Sequence, residues 1–177
     1  YPRIDSISNN ALVDAGDKYI SADAARLGSD KCVIFVWSGF RVIDVQTFDV
    51  SLTDEIVNAV KMLEAQHHVE RANIIVDADG IGGGVVDFLP GCVSFVNGGA
   101  VIKQEDGKDN YTNLKSQTYF QSADITNDLK VYIEPQVTNE TVDMEPLGER
   151  LKRELRAIKR LDKMKDGKIG LISKQDM

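Results

Sequence analysis

Two apolar segments of this chain each run into an aspartate. The first is Tyr19-Ile20-Ser21-Ala22-Asp23; the second is Asn73-Ile74-Ile75-Val76-Asp77, followed by Ala78-Asp79 and the glycines Gly80, Gly82, Gly83 and Gly84. A carboxylate at the end of a buried strand costs several kcal/mol unless water, a metal or a basic partner meets it. Two carboxylates brought side by side repel unless a cation bridges them, and Mg2+ or Mn2+ prefers hard carboxylate oxygen. Two such ions, about 3.5–4 Å apart, activate a water and stabilise the leaving oxygen of a phosphodiester. Whether Asp23 and Asp77 meet depends on the elements that carry them.

Apolar runs bounded by turn residues predict strands at 19–25, 31–37 and 40–48, the first two separated by Leu27-Gly28-Ser29-Asp30 and the second pair by Ser38-Gly39. That is a three-stranded antiparallel meander. Ile56, Val60 and Leu63 repeat at helical spacing and predict a helix over 54–69, capped by Ser51 or Thr53 and ending near His67 and His68, which are expected at the surface. A strand at 73–77 follows, then a glycine-led helical turn through Val85, Val86 and Leu89, a stop at Pro90-Gly91 and a strand at 92–96. Strand, helix, strand implies a parallel crossover.

Residues 98–112 read as a loop and 113–130 as a helix, with Tyr132-Ile133 a short extended piece before the polar stretch 134–145. A helix over 147–162 carries Leu147, Leu151, Leu155, Ile158 and Leu161 on one stripe, and a turn at Asp166-Gly167-Lys168 leads into a strand over 169–172. Residues 1–17 lack periodicity and are expected to be a lead-in or linker from something upstream. This order of elements is the connectivity of the ribonuclease H-like fold: α/β, with a mixed central sheet, a three-stranded antiparallel meander plus parallel strands, and flanking helices. In that fold the first and fourth strands are neighbours, which places Asp23 beside Asp77. Asp79, two residues on, is expected on the same face.

The chain has 177 residues, 42% hydrophobic and 28% charged, enough for one domain with a sizeable core. Its longest apolar runs are strand-sized, and no basic-then-apolar leader opens it, so no membrane association is expected and the reading is soluble and intracellular. Cys32 and Cys92 are widely spaced and lie in or beside apolar strands, so they are expected to be reduced packing residues. A net charge of -7 argues against non-specific coating of nucleic acid. Yet the segment from Arg150 to Lys168 holds nine of the 21 basic residues and only three of the 28 acidic ones. Such a segment suits a polyanion, or is simply a solvated helix face.

The wording of several segments resembles one family. Residues 19–34 (Tyr-Ile-Ser-Ala-Asp-Ala-Ala-Arg-Leu-Gly-Ser-Asp-Lys-Cys-Val-Ile) and 74–89 (Ile-Ile-Val-Asp-Ala-Asp-Gly-Ile-Gly-Gly-Gly-Val-Val-Asp-Phe-Leu) resemble the C-terminal nuclease domain of the large terminase subunit of tailed bacteriophages. So do Asn113-Leu114-Lys115-Ser116-Gln117, after the loop, and the ending Asp166-Gly167-Lys168-Ile169 with Ile172-Ser173-Lys174-Gln175-Asp176-Met177. The resemblance spans about 18–177. It implies a metal-dependent endonuclease that cuts double-stranded DNA with low sequence specificity during genome packaging, in the cytoplasm of the bacterial host. Asp23 and Asp77 would be the first and second ligands of a two-metal Mg2+ or Mn2+ site and Asp79 would assist. Lys115, Arg153, Arg156, Lys159 and Arg160 would contact the DNA backbone.

The resemblance further implies an upstream ATPase domain on the same polypeptide, since Gly-x4-Gly-Lys-Ser/Thr is absent here, with the portal and the small terminase subunit as partners. The family's third carboxylate follows the Ser-Lys strand on a final helix. Asp176 falls before that position, so the third ligand is expected past Met177, the domain is expected to be truncated there and the fragment weakly active.

Other readings of the same residues compete. A dinucleotide fingerprint would need glycine where Val85 stands, and a calcium loop would need ligands where Ile81 and Phe88 stand. Asp-x-Asp also opens the signature of haloacid dehalogenase-like phosphatases, but on the first strand, whereas here it lies on about the fourth. Asp30, Asp44 and Asp87 read as turn, edge and helix-surface residues. The alternatives for the whole chain are a resolvase or ribonuclease H-like nuclease acting on branched or hybrid nucleic acid, and a non-catalytic docking module of the packaging motor.

Overall fold

Burial alternates along the first strands, and the alternation builds the molecule. The computed structural model describes residues 3–24, 31–49, 52–103, 110–161 and 167–172. In β1 (Lys18–Asp23) Ile20 and Ala22 are buried on one side, and in β2 (Cys32–Ser38) so are Cys32, Ile34 and Val36. The next strands are β3 (Arg41–Phe48), β4 (Ile74–Asp77), β5 (Val93–Phe95) and β6 (Tyr132–Ile133). They form one sheet in the order β5-β4-β1-β2-β3-β6. β2 runs antiparallel to β1 and β3, while β1 with β4, β4 with β5 and β3 with β6 are parallel. This is the expected mixed sheet, with β6 added beside β3.

Helix α1 (Thr53–His67) and the short α2 (Gly82–Asp87) cover one face. Ile56, Val60, Leu63 and Val85 pack there with Ile20, Ile34, Val36, Ile74 and Val76 in the larger core. The opposite face meets α3 (Leu114–Asn127), α4 (Pro135–Thr138) and α5 (Leu147–Ala157), where Ile7, Val42, Ile133, Val137 and Leu147 form a second core. The lead-in contributes to it: Ile4–Ser8 is a 3-10 turn with Ile4 and Ile7 buried, and Arg156 of α5 pairs with Asp5. Among the described residues no helix is long and apolar enough to cross a membrane.

Three local expectations are corrected. The helix expected over 147–162 stops at Ala157. Ile158 is extended, and Arg160–Leu161 (β9) pairs with Gly170–Leu171 (β10), so ladder bonds take the backbone that another helical turn would have used. Leu161 therefore leaves the stripe and is exposed. The cap of α1 is neither residue named from sequence: Ser51 lies outside the described residues, Thr53 is already helical, and Glu55 Oε2 accepts the N–H of Leu52 at 2.8 Å. His67 is half-buried, not a free surface residue, because its Nε2 lies 2.8 Å from Asp44 Oδ2.

The polar stretch 134–145 holds more order than its composition suggests. Beyond α4, β7 (Thr141–Val142) and β8 (Glu145–Pro146) form a hairpin whose central residues, Asp143 and Met144, have φ of 51° and 63°. Both left-handed positions mark a type I′ turn, which matches strand twist. The turn sets Asp143 between Lys31 Nζ at 2.6 Å and Arg150 at 2.8 Å. Those two cations hold the Asp143 carboxyl below the usual carboxylate range, Lys31 contributing most.

Candidate metal centre

Parallel pairing of β1 with β4 sets Ile20 beside Ile74, Ser21 beside Ile75 and Ala22 beside Val76. Asp23 and Asp77 are the next residue on each strand, so the two carboxylates leave the carboxyl ends of neighbouring parallel strands. Open α/β sheets bind ligands at such ends. Both side chains belong to the face opposite the larger core, because residues two apart share a side. Asp23 and Asp79 are exposed and Asp77 is half-buried.

The loop after β4 is shaped by its glycines. Gly80 has φ of +66°, which a side chain resists. Gly82 passes so close to the end of β4 that a Cβ there would lie 1.6 Å from the Asp77 carbonyl oxygen. No other residue fits. Gly82 thus serves close backbone approach within the protein, pressing the start of α2 against the strand that ends in Asp77.

Asp77 is held at both oxygens: Oδ1 accepts the N–H of Asp79 at 3.0 Å and Oδ2 accepts from Asn97 Nδ2 at 3.0 Å. Asp79 Oδ2 accepts from the same Nδ2 at 2.7 Å and from the Asn97 N–H at 3.2 Å. Asn97 went unseen in the sequence, where it falls between the strand expected at 92–96 and the loop expected over 98–112. It arrives because the β4–β5 ladder runs one bond further, Ala78 N–H to Phe95 carbonyl at 2.7 Å.

The segment Asn113-Leu114-Lys115-Ser116-Gln117 anchors that turn to α3. Asn113 Oδ1 caps the helix by accepting the Ser116 N–H at 2.9 Å, while Gln117 bonds both the N–H and the carbonyl of Ile102. The N–H groups of Leu114 and Lys115 donate to the carbonyls of Gly99 and Asn97 at 2.9 and 3.1 Å. Lys115 Nζ stands 5.8 Å over the ring of Tyr119. The Tyr119 phenol is pushed above its ordinary pKa by burial first, then by Asp23, Glu154 and Asp77. One turn of α3 thus shares the electrostatic field of the aspartates.

The other candidate cations are placed differently. Arg153 pairs with Glu145 and Arg156 with Asp5, and on the same helix Arg150 pairs with Asp143 and Glu154 and Lys152 with Glu149. Lys159 and Arg160 lie past the end of α5, both exposed, the Arg160 guanidinium 6.0 Å over the Phe120 ring. The basic helix is largely neutralised by the acidic body.

In kind, the donors at the strand ends suit a hard divalent cation: they are carboxylates, with a side-chain amide and no thiol or imidazole among the groups just described. In number they fall short. Among the described residues no three His, Cys, Asp or Glu side chains converge to hold a metal ion, and Asp79 is turned to Asn97. Beneath the site, on the same side of the sheet, lies a cavity of about 720 Å3 lined by Tyr19, Ser21, Trp37, Ile75, Ile125 and Leu155 among others. Asp176 lies outside the described residues.

No family model and no curated protein sequence matches the chain. Solved structures do. The nuclease domain of the large terminase subunit gp2 of bacterial virus Sf6 matches with a TM-score of 0.79 at 16% identity, over 99% of this chain and 87% of that one. The large terminase nuclease of thermophilic phage G20c with bound magnesium matches at 0.57 and 15% identity, over 89% and 71%. The nuclease domain of the large terminase of Thermus phage P74-26 matches at 0.55 and 14%, over 90% and 73%. At this identity the likeness is one of fold: the chain has the ribonuclease H-like fold of terminase nuclease domains.

Proposed function

We propose that this chain is the nuclease domain of a phage packaging terminase, a metal-dependent endonuclease acting on double-stranded DNA with little sequence preference. The observation that carries the reading is the pairing of β1 with β4, which delivers Asp23 and Asp77 to the same end and the same face of the sheet. The fold shared with the Sf6, G20c and P74-26 nucleases supports it, as does the magnesium bound by the G20c domain. Asp23 and Asp77 would hold Mg2+ or Mn2+, with Asp79 acting through the loop it shares with Asp77. When bound, the metal supplies a Lewis acid that polarises the phosphodiester and lowers the pKa of an attacking water.

The chain's own residues position the polyanion. Lys115, half-buried at the start of α3 with its Nζ over the Tyr119 ring, would supply a cation to a backbone phosphate approaching the site. Lys159 and Arg160 offer exposed charge past the end of α5. Arg153 and Arg156 would meet phosphate with Glu145 and Asp5 already competing for their charge. Among the described residues no element is assigned to base edges, so phosphate contacts would dominate binding. The upstream motor, the portal and the small subunit are the partners this role requires, in a host cytoplasm.

The test is nicking of supercoiled plasmid in millimolar Mn2+ by the full-length protein. Asp23→Ala and Asp77→Asn are each expected to reduce the rate by at least about 100-fold, since even outer-shell partners of a metal are worth about 10–100-fold. Plasmid left intact by the unsubstituted protein would favour the docking-module alternative. Selective cutting of four-way junctions or RNA–DNA hybrids would favour the resolvase or ribonuclease H alternative.

A further inference from the structure

The side chain of Asn97 spends both hydrogens of its amide on two carboxylates, Asp77 at 3.0 Å and Asp79 at 2.7 Å. Its main-chain N–H adds a third bond, to Asp79 at 3.2 Å. Three donors of one residue thus converge on two anions 18 and 20 positions away. Without them, neighbouring carboxylates two residues apart would repel and rotate toward water. The amide hydrogens carry partial positive charge and occupy the space between the two acids, where they offset part of that repulsion.

Asn97 is itself held from the other side. Its carbonyl accepts the N–H of Lys115 at 3.1 Å, and the Gly99 carbonyl accepts that of Leu114 at 2.9 Å. The residue is a tie between the first turn of α3 and the loop after β4. Asp77 Oδ2 therefore has a fixed direction before any ligand arrives. A ligand whose rotamer is already set loses less entropy on binding.

We propose that Asn97 is a positioning residue for the metal: it orients Asp77, and through the shared amide restrains Asp79, so that the cation binds a prearranged carboxylate. This rests on the metal-site reading above and adds a residue to it. Asn97 is not assigned as a ligand. Its effect is on affinity, through the partner it holds.

The experiment is a Mn2+ titration of the purified chain followed by electron paramagnetic resonance, with Asp77→Asn and Asn97→Ala in parallel and thermal unfolding of each metal-free protein. Asn97→Ala is expected to weaken Mn2+ binding about 10–100-fold, the range for outer-shell partners. Its metal-free midpoint should stay within about 2 °C of the parent, because the lost bonds are near the surface. A second measurement needs no substitution: the Asn97 side-chain amide resonances should shift with Mg2+ along the same binding curve.

Mn2+ affinity within about twofold of the parent in Asn97→Ala would overturn the proposal, as would amide resonances that do not move at saturating Mg2+. Binding that is lost in Asp77→Asn but intact in Asn97→Ala sinks the role of Asn97 alone. If the parent chain binds no Mn2+, or Asp77→Asn binds it equally well, the metal-site reading falls and takes this one with it.

Discussion

Gly82 is the residue on which the shape of the site most plainly depends. An added Cβ would overlap the Asp77 carbonyl, whereas one at Gly83 would meet the Ala78 carbonyl at an ordinary 3.5 Å. Gly82→Ala is therefore expected to destabilise by about 3 kcal/mol, the upper part of the overpacking range, because the clash is with backbone. Gly83→Ala should be neutral or stabilising by up to about 1 kcal/mol, from reduced helix entropy. Urea unfolding of the two variants checks both, and equal effects would remove the close-approach argument. At this scale the aspartates were visible in the sequence because each ends an apolar run. Asn97 was not, because its partners come from a loop 18 residues earlier and a helix 18 residues later, and no local pattern encodes that meeting.

Elements with strong periodicity were legible and those fixed by pairing were not. The meander, α1 and β4 follow from alternation and helical spacing, to within a residue or two. The end of α5 does not, since Ile158 and Leu161 continue a helical stripe that the β9–β10 ladder overrides. The hairpin of β7 and β8 was hidden in a polar stretch because its turn uses Asp143 and Met144 where glycine or asparagine usually signals the type. That hairpin yields a pH prediction. Asp143 has its carboxyl pKa lowered from the ordinary 3.8 by Lys31 and Arg150, so it contributes stability above that value and loses it as pH falls through the depressed one. Asp143→Asn should lower the thermal midpoint at about pH 6 and flatten its decline as the pH falls below about 4. A decline as steep as the parent's would show that these ion pairs do not act in solution.

Across the whole molecule, the proposed nuclease role requires an acidic body with a net charge of -7 to approach DNA. The ion pairs along α5 show how the basic segment is accommodated: most of its arginines are already matched with carboxylates. Each free cation that neutralises a phosphate adds about 0.9 to the slope of log affinity against log salt. Lys115→Ala or Lys159→Ala should reduce that slope by about 0.9, and the pair Arg153→Ala with Arg156→Ala by less than this per residue. Fluorescence anisotropy of a labelled duplex from about 50 to about 200 mM salt measures it; a full unit lost for each arginine would mean that the internal pairs open on binding. The sheet imposes a different limit. Since side chains along β1 alternate between faces, one residue inserted between Ile20 and Asp23 would turn the acid into the layer occupied by Val36 and Val60, and one deleted would do the same. Along that stretch the number of residues is as tightly fixed as the acid that ends it.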